Sequence, residues 1–300
     1  MSRVLHTAQA LVDVILEVDA LPARGGNANA RSERRYAGGA VTTLLAAART
    51  GAEAVHGGAH GIGPNGDLIR EVLARDGVTL SDSPREGADT GYCVVLLEPT
   101  AERTFLTVYG AEREVSAESF ARLEPAAGDL VCVSGYSLFE PTREPLLEFL
   151  EGLEDGVDVV LDPGDPFPRA LQERVLALTT VWTSNADEAR ALTDLDHLED
   201  TPQAIRRRLR PGAAVIVRDG ERGCLVFHHG RGTEIPAFPQ TPVDTNGAGD
   251  THTGVLLAER ALGADWESAA TRANAAAAIA VTRRGPESAP TREEVDRFLS

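Results

Sequence analysis

Short β-branched or apolar runs alternate with helical patterns along most of this chain, and no other feature limits the fold as strongly. Arg3–His6, Ala54–Gly58, Leu130–Ser134, Val157–Asp162, Thr180–Thr183 and Ala213–Val217 read as strands. Between them Val41–Thr50, Asp67–Asp76, Thr142–Gly152, Pro168–Leu178, Ala186–Leu192 and Gln203–Leu209 read as helices. Strands separated by helices pair in parallel, so the pattern predicts an α/β fold with a mostly parallel central sheet covered on both faces. Ligands of such sheets bind beyond the carboxyl ends of the strands. Gly223–His228 and Arg231–Ile235 resemble a hairpin. With 42% of 300 residues apolar, the chain can bury one large core.

Two regions break the rhythm. Leu11–Leu16 with Ser32–Tyr36, and Thr90–Leu97 with Thr104–Tyr109, look like antiparallel strands of mixed face. They predict a small β lid made of residues 11–36 and 89–110, over a core of residues 1–10, 37–88 and 111–300. A lid keeps water from a transferable phosphate. The competing reading is that these strands merely extend the main sheet.

A net charge of −17 argues against nucleic acid or an anionic membrane as partner, since both need a basic face. No run of 18 apolar residues occurs and the amino terminus lacks a secretion pattern, so a soluble, cytoplasmic protein is expected. Cys93, Cys132 and Cys224 are scattered in apolar runs and read as small buried thiols. All 29 basic side chains are arginine. A P-loop, a protein-kinase strand lysine and a pyridoxal Schiff base are therefore all excluded. Phosphate must be handled by backbone amides, arginine and metal ions.

The most chemical stretch is Asp244-Thr245-Asn246-Gly247-Ala248-Gly249-Asp250, which leads into a helical run from Thr253. The glycines let the backbone turn its N–H groups toward an open space, and the helix start adds unpaired donors and the positive dipole end. That is a site for phosphate. A carboxylate there, Asp250, is placed to take a proton from an attacking hydroxyl. The alternative for Asp250 is a helix N-cap.

Taken with four further elements in order, this segment resembles the ribokinase-like (PfkB) sugar kinases over essentially the whole chain. The others are Gly38-Gly39 before an alanine-rich helix, Asn185-Ala186-Asp187-Glu188, Gly220-Glu221-Arg222-Gly223, and the tail from Asn274 to Gly285. The resemblance implies a three-layer α/β/α sandwich with a β lid. It also implies transfer of phosphate from ATP, with Mg²⁺, to a sugar hydroxyl. Asp250 would be the base and touch the acceptor, with Gly247, Ala248 and Gly249 supplying amides to the transferred group. Asp13, read as the end of the first strand, would meet the sugar with Gly38, Gly39, Thr43 and Glu140. Asn185, Glu188, Arg218, Gly220, Gly223, Gly249 and Asn274 would face the nucleotide, Glu188 ordering Mg²⁺ through water. Asn-x-x-Glu is equally a helix cap, and both roles can coexist. Asp244, Asn246, Ala280, Arg283 and Gly285 match positions around a monovalent cation such as K⁺. Lid edges in this family often pair between subunits, which implies a homodimer.

Several positions depart from the pattern. Thr43 stands where an asparagine is usual, Arg218 replaces a threonine, and His252 replaces a phenylalanine. Pro64-Asn65-Gly66-Asp67 replaces an acidic pair before glycine, and Ser288 or Ala289 stands at the last cation position. Gly61-Ile62-Gly63-Pro64-Asn65-Gly66 fits a dinucleotide fingerprint but follows a short, glycine-rich strand, and is read as a loop at the sugar side. The expected acceptor is a monosaccharide of the ribose, fructose or keto-deoxy sugar acid type. A nucleoside, a sugar phosphate bound by Arg34, Arg35 and Arg103, and a non-catalytic sugar- or nucleotide-binding protein remain as alternatives.

Overall fold

The computed structural model describes residues 2–100, 102–164 and 172–300. The chain enters through β1 (Arg3–His6), β2 (Ala10–Glu17) and β3 (Ser32–Gly39), then α1 (Ala40–Thr50), β4 (Glu53–His56), α2 (Pro64–Arg75) and β5 (Thr79–Leu80). The antiparallel pair β6 (Tyr92–Leu97) and β7 (Arg103–Val108) precedes α3 (Ala117–Ala121), β8 (Leu130–Ser134) and α4 (Arg143–Glu151). Next come β9 (Asp158–Asp162), α5 (Gln172–Leu176), β10 (Val181–Asn185), α6 (Ala186–Thr193), α7 (Thr201–Arg206) and β11 (Ala214–Arg218). The hairpin β12 (Cys224–His228) and β13 (Arg231–Ile235) leads to α8 (Ala248–Ala261), α9 (Trp266–Ala280) and α10 (Arg292–Leu299). The first part of the helix expected at Pro168–Leu178 lies outside the described residues.

Nine strands form one sheet in the order β13-β12-β11-β10-β9-β8-β1-β4-β5, parallel except for the hairpin. Alternation along each strand makes the layers. Leu130 and Cys132 of β8 join one buried cluster with Leu44, Leu256 and Ala273 of α1, α8 and α9. Val131 and Val133 join the other, with Phe120 and Leu146 of α3 and α4. Each such large side chain contributes about 1.5–3 kcal/mol on burial, so both helical layers are held by the period of the strands. Among the described residues, no helix is long and apolar enough to cross a membrane.

The other four strands form a separate sheet, in the order β3-β2-β6-β7. One expectation needs correcting. β2 and β6 run parallel, not antiparallel. No tight turn joins β2 to β6: the chain between them passes through β3 and the core elements α1, β4 and α2, and so long a connection permits parallel pairing.

The glycine-rich segment at 61–66 is closed to phosphate. Asp89 accepts from the N–H groups of Asn65 (3.0 Å) and Gly66 (2.9 Å), filling the start of α2 with its own carboxylate. Asp67 is exposed and pairs with Arg70 on the same helix.

Candidate active site

Gly247 has φ 75°, a left-handed turn that glycine adopts freely, and it caps α8. Asp250 is therefore the third residue of the helix rather than its cap. Ala248 N–H makes only a long bond, 3.4 Å, to Thr245 O. The N–H groups of Gly247 and Gly249 make no hydrogen bond among the described residues, so the donors at this helix start stay open. Asp250 is exposed in the first turn of α8. Loss of solvation pushes its carboxyl up to about 6, the Asp162 charge adds to this, and Arg218 opposes it.

Arg218, at the end of β11, reaches across three elements. Its Nη1 donates to Asp162 Oδ2 (3.0 Å), Thr183 Oγ1 (3.2 Å), Thr253 Oγ1 (2.6 Å) and, at 3.4 Å, Gly249 O. Thr253 Oγ1 in turn donates to Asp162 Oδ2 at 3.0 Å. Sequence reasoning missed Asp162 and Thr253. A signal existed for Asp162, which ends a parallel strand where ligands of such sheets gather.

Asp13 is placed differently from expectation. It sits inside β2 of the small sheet, not at the end of the first strand, because the chain passes from β1 into a second strand of another sheet. In register it faces Tyr36 on one side and Cys93 on the other, with Thr107 next, so one row of the sheet presents these four side chains together. Gly38 is required by that carboxylate, since a Cβ there would lie 2.3 Å from Asp13 Oδ2. Loss of solvation, then the charge of Asp250, pushes Asp13 up to about 7. The acid of the small sheet and the acid of α8 thus share one field.

Gly39 caps α1 at φ 63°, where a Cβ would meet Gln9 O. Thr43 corrects an expectation: it is 2% exposed in the contact between α1 and α8, with almost no surface for a sugar. Glu140 also departs from expectation, being exposed and paired with Arg143 in the following helix. Asn185 and Glu188 form a reciprocal cap at the start of α6, each accepting the other's N–H at 2.8 Å. Gly220 and Gly223, at φ 54° and 98°, bound a tight turn beyond β11, closed by Asp219 N–H on Gly223 O at 2.7 Å. Asn274 also departs from expectation. Its amide donates to the carbonyls of Ile235 and Pro236 at 3.1 Å and pairs with His252 Nε2, so it holds the end of β13 and offers no free donor to a nucleotide.

Asp244, Asn246, Arg283 and Gly285 lie in two adjoining loops, and Ala280 ends α9 beside them. However, Asp244 Oδ1 takes the Arg103 guanidinium at 2.7 Å and Asn246 N–H at 2.9 Å, while Oδ2 takes Gly285 N–H at 3.0 Å. Arg283 N–H occupies Ala280 O at 3.0 Å. The Asp244 charge is thus paired with Arg103, and three of its roughly four acceptor positions are taken.

A parallel α/β core whose helix start sets open amides beside one acid, under a second acid from a separate sheet, defines a phosphotransferase acting on an alcohol. The chain belongs to the family described as pfkB family carbohydrate kinase, which matches residues 1–292. It is 36% identical over 298 residues to the uncharacterized sugar kinase YegV of Escherichia coli, covering 97% of this chain and 92% of that protein. It is 32% identical over 304 residues to the ATP-dependent ribose-1-phosphate kinase of Halopiger xanaduensis, covering 100% and 99%. Arabidopsis thaliana ribokinase, solved with ribose and ATP, shares the fold at a TM-score of 0.80, with 23% identity and coverage of 100% and 99%. The protein is a sugar kinase.

Proposed function

We propose that this sugar kinase moves the γ-phosphoryl group of ATP to a hydroxyl of a free monosaccharide, with Asp250 as the base. The observation that supports this reading is Asp250 in the first turn of α8, beside open helix-start amides and in the field of Asp13 from the small sheet. Asp250 takes the hydroxyl proton. The freed oxygen bonds to the γ-phosphorus, the bond from that phosphorus to the β-γ bridging oxygen breaks, and ADP leaves. The amides of Gly247, Ala248 and Gly249 meet the charge on the transferred group, and Arg218 supplies the fixed cation that a lysine-free chain needs.

ATP suits a turn at Gly220–Gly223 and a helix start free of lysine. Mg²⁺ fits as an ion carried by the triphosphate and its waters, with Glu188 reaching it through water. Among the described residues no three-ligand cluster competes to hold a metal. When bound, Mg²⁺ would draw charge off the β- and γ-phosphate oxygens.

Asp13, with Gly38 making room, would bind acceptor hydroxyls, and the small sheet would act as the lid. A free sugar is favoured over a sugar phosphate because Arg34 pairs with Glu17, Arg35 with Glu33 and Arg103 with Asp244. The outer strand of the lid exposes Phe105, Leu106 and Val108, with Tyr109 just beyond it, which supports a homodimer through this face; a monomeric mass in solution would end that idea. We place the protein in the cytoplasm, where ATP is at hand.

ADP formation measured over free sugars, sugar phosphates and nucleosides tests the reading. Turnover is expected with a free sugar, and Asp250→Asn should lower it by about 10²–10⁴-fold while ATP still binds. Near-normal turnover of that variant would remove Asp250 from its role. Binding without turnover across the whole panel would sink the reading.

A further inference from the structure

The Asp244 carboxylate joins three segments. Oδ1 receives Arg103 Nη2 from the lid and the N–H of Asn246 in the loop entering α8, and Oδ2 receives the N–H of Gly285. Arg103 Nη1 also lies 3.5 Å from Thr245 Oγ1. Both partners of the ion pair are largely shielded, at 20% and 16% exposure. Shielding strengthens the pair and makes either charge costly to leave alone.

The same lid touches the same loop elsewhere. Tyr36 packs so closely on Gly285 that a Cβ there would lie 2.7 Å from its ring, and Glu17 lies 3.7 Å from Arg284. Three of the roughly four acceptor positions of the Asp244 carboxylate already take N–H groups, and one of these is a guanidinium that pairs its charge. A small cation at this point would have to displace a guanidinium tethered by the chain, whose effective concentration is about millimolar or higher.

We propose that Arg103 is a positioning residue that takes the place of a monovalent cation. By neutralising Asp244 it fixes the loop that presents the Gly247–Gly249 amides, and it makes that loop depend on the closed lid. The inference rests on the kinase reading above. It commits this chain to phosphoryl transfer that is indifferent to K⁺.

The test compares KCl with choline chloride at equal ionic strength, reading kcat, KM and the melting temperature of the nucleotide-free protein. Wild type should show no K⁺ effect on any of the three. Arg103→Ala should lose about ten- to a hundredfold in kcat, with KM for the sugar moving less, because a charge-assisted bond is removed away from the acceptor. KCl should restore part of that loss and raise its melting temperature, and Arg103→Lys should keep most of the activity in either salt. Saturable activation of wild type by K⁺, or a K⁺-dependent rise in its melting temperature, would overturn the proposal. So would an Arg103→Ala variant with wild-type kcat in choline chloride. If Arg103→Ala does not fold, the wild-type salt response still decides. If wild type turns over no acceptor, the kinase reading fails, while the melting temperatures in the two salts still judge this inference.

Discussion

Arg218 Nη1 lies 3.0 Å from Asp162 Oδ2, so the end of β11 is tied to the end of β9 against the first turn of α8. Thr253 Oγ1 bonds to both partners, which locks the guanidinium plane. Burial opposes the charge on Arg218, but the carboxylates of Asp162, Glu188 and Asp250 hold it firmly protonated. One fixed cation therefore stands beside the proposed base.

Replacing Arg218 by alanine is expected to lower kcat about 10²–10³-fold, the range seen when a preorganised donor to developing charge is removed. Arg218→Lys should not restore it, because an ammonium cannot set two nitrogens against the two oxygens of Asp162 as Nη1 (3.0 Å) and Nη2 (3.4 Å) do. Steady-state kinetics with circular dichroism as a folding control checks this. An unchanged kcat would mean that the guanidinium only braces the strands.

The two facing acids predict how rate and stability change with pH. Asp250 must be ionised to accept a proton, and loss of solvation has pushed it up to about 6 and Asp13 to about 7. The value of kcat/KM should therefore fall as pH drops through 7 and 6. Stability runs the other way. A carboxyl whose folded pKa lies above its unfolded value of 3.8 favours the fold fully below that value, and this contribution is lost as pH rises through 6–7. Asp13→Asn should thus raise the melting temperature more at pH 8 than at pH 5 while impairing sugar binding. Equal gains at both pH values would mean that titration is not the cause.

Three buried histidines predict acid sensitivity. Burial pushes His6 down to about 4, and His56 and His252 to about 3. His56 has no hydrogen-bond partner for either ring nitrogen among the described residues. Neutral when folded, these rings bind protons once unfolded. Stability is full above pH 6.5 and is lost as pH falls toward 4, by at most about 1.4 kcal/mol per pH unit for each ring. Thermal melts from pH 7 to 4 should show the decline, and His56→Phe should make it shallower. An identical pH dependence in that variant would clear His56.

The parallel core and the helix start at Gly247 were legible because they rest on local periodicity and on neighbours in the chain. The sheet carrying Asp13 was visible as irregular strands, but its β2–β6 direction was not, since direction depends on a crossover through the core. Thr43 and Glu140 sat at plausible places in the motif. Only packing decided that one is buried and the other turned to Arg143. The amide of Asn274 could have faced a ligand until the end of β13 proved to need it.

By itself the sequence determined the layered core, the glycine turn and the acid that follows it, because adjacent residues dictate backbone turns and helix starts. Only the tertiary structure decided which charges meet. Arg218 and Asp162 are 56 residues apart, and Arg103 and Asp244 are 141 apart. No spacing rule joins such pairs; Arg218 and Asp162 meet because β11 and β9 flank β10 in one sheet, and Arg103 meets Asp244 because the second sheet lies against the loop before α8.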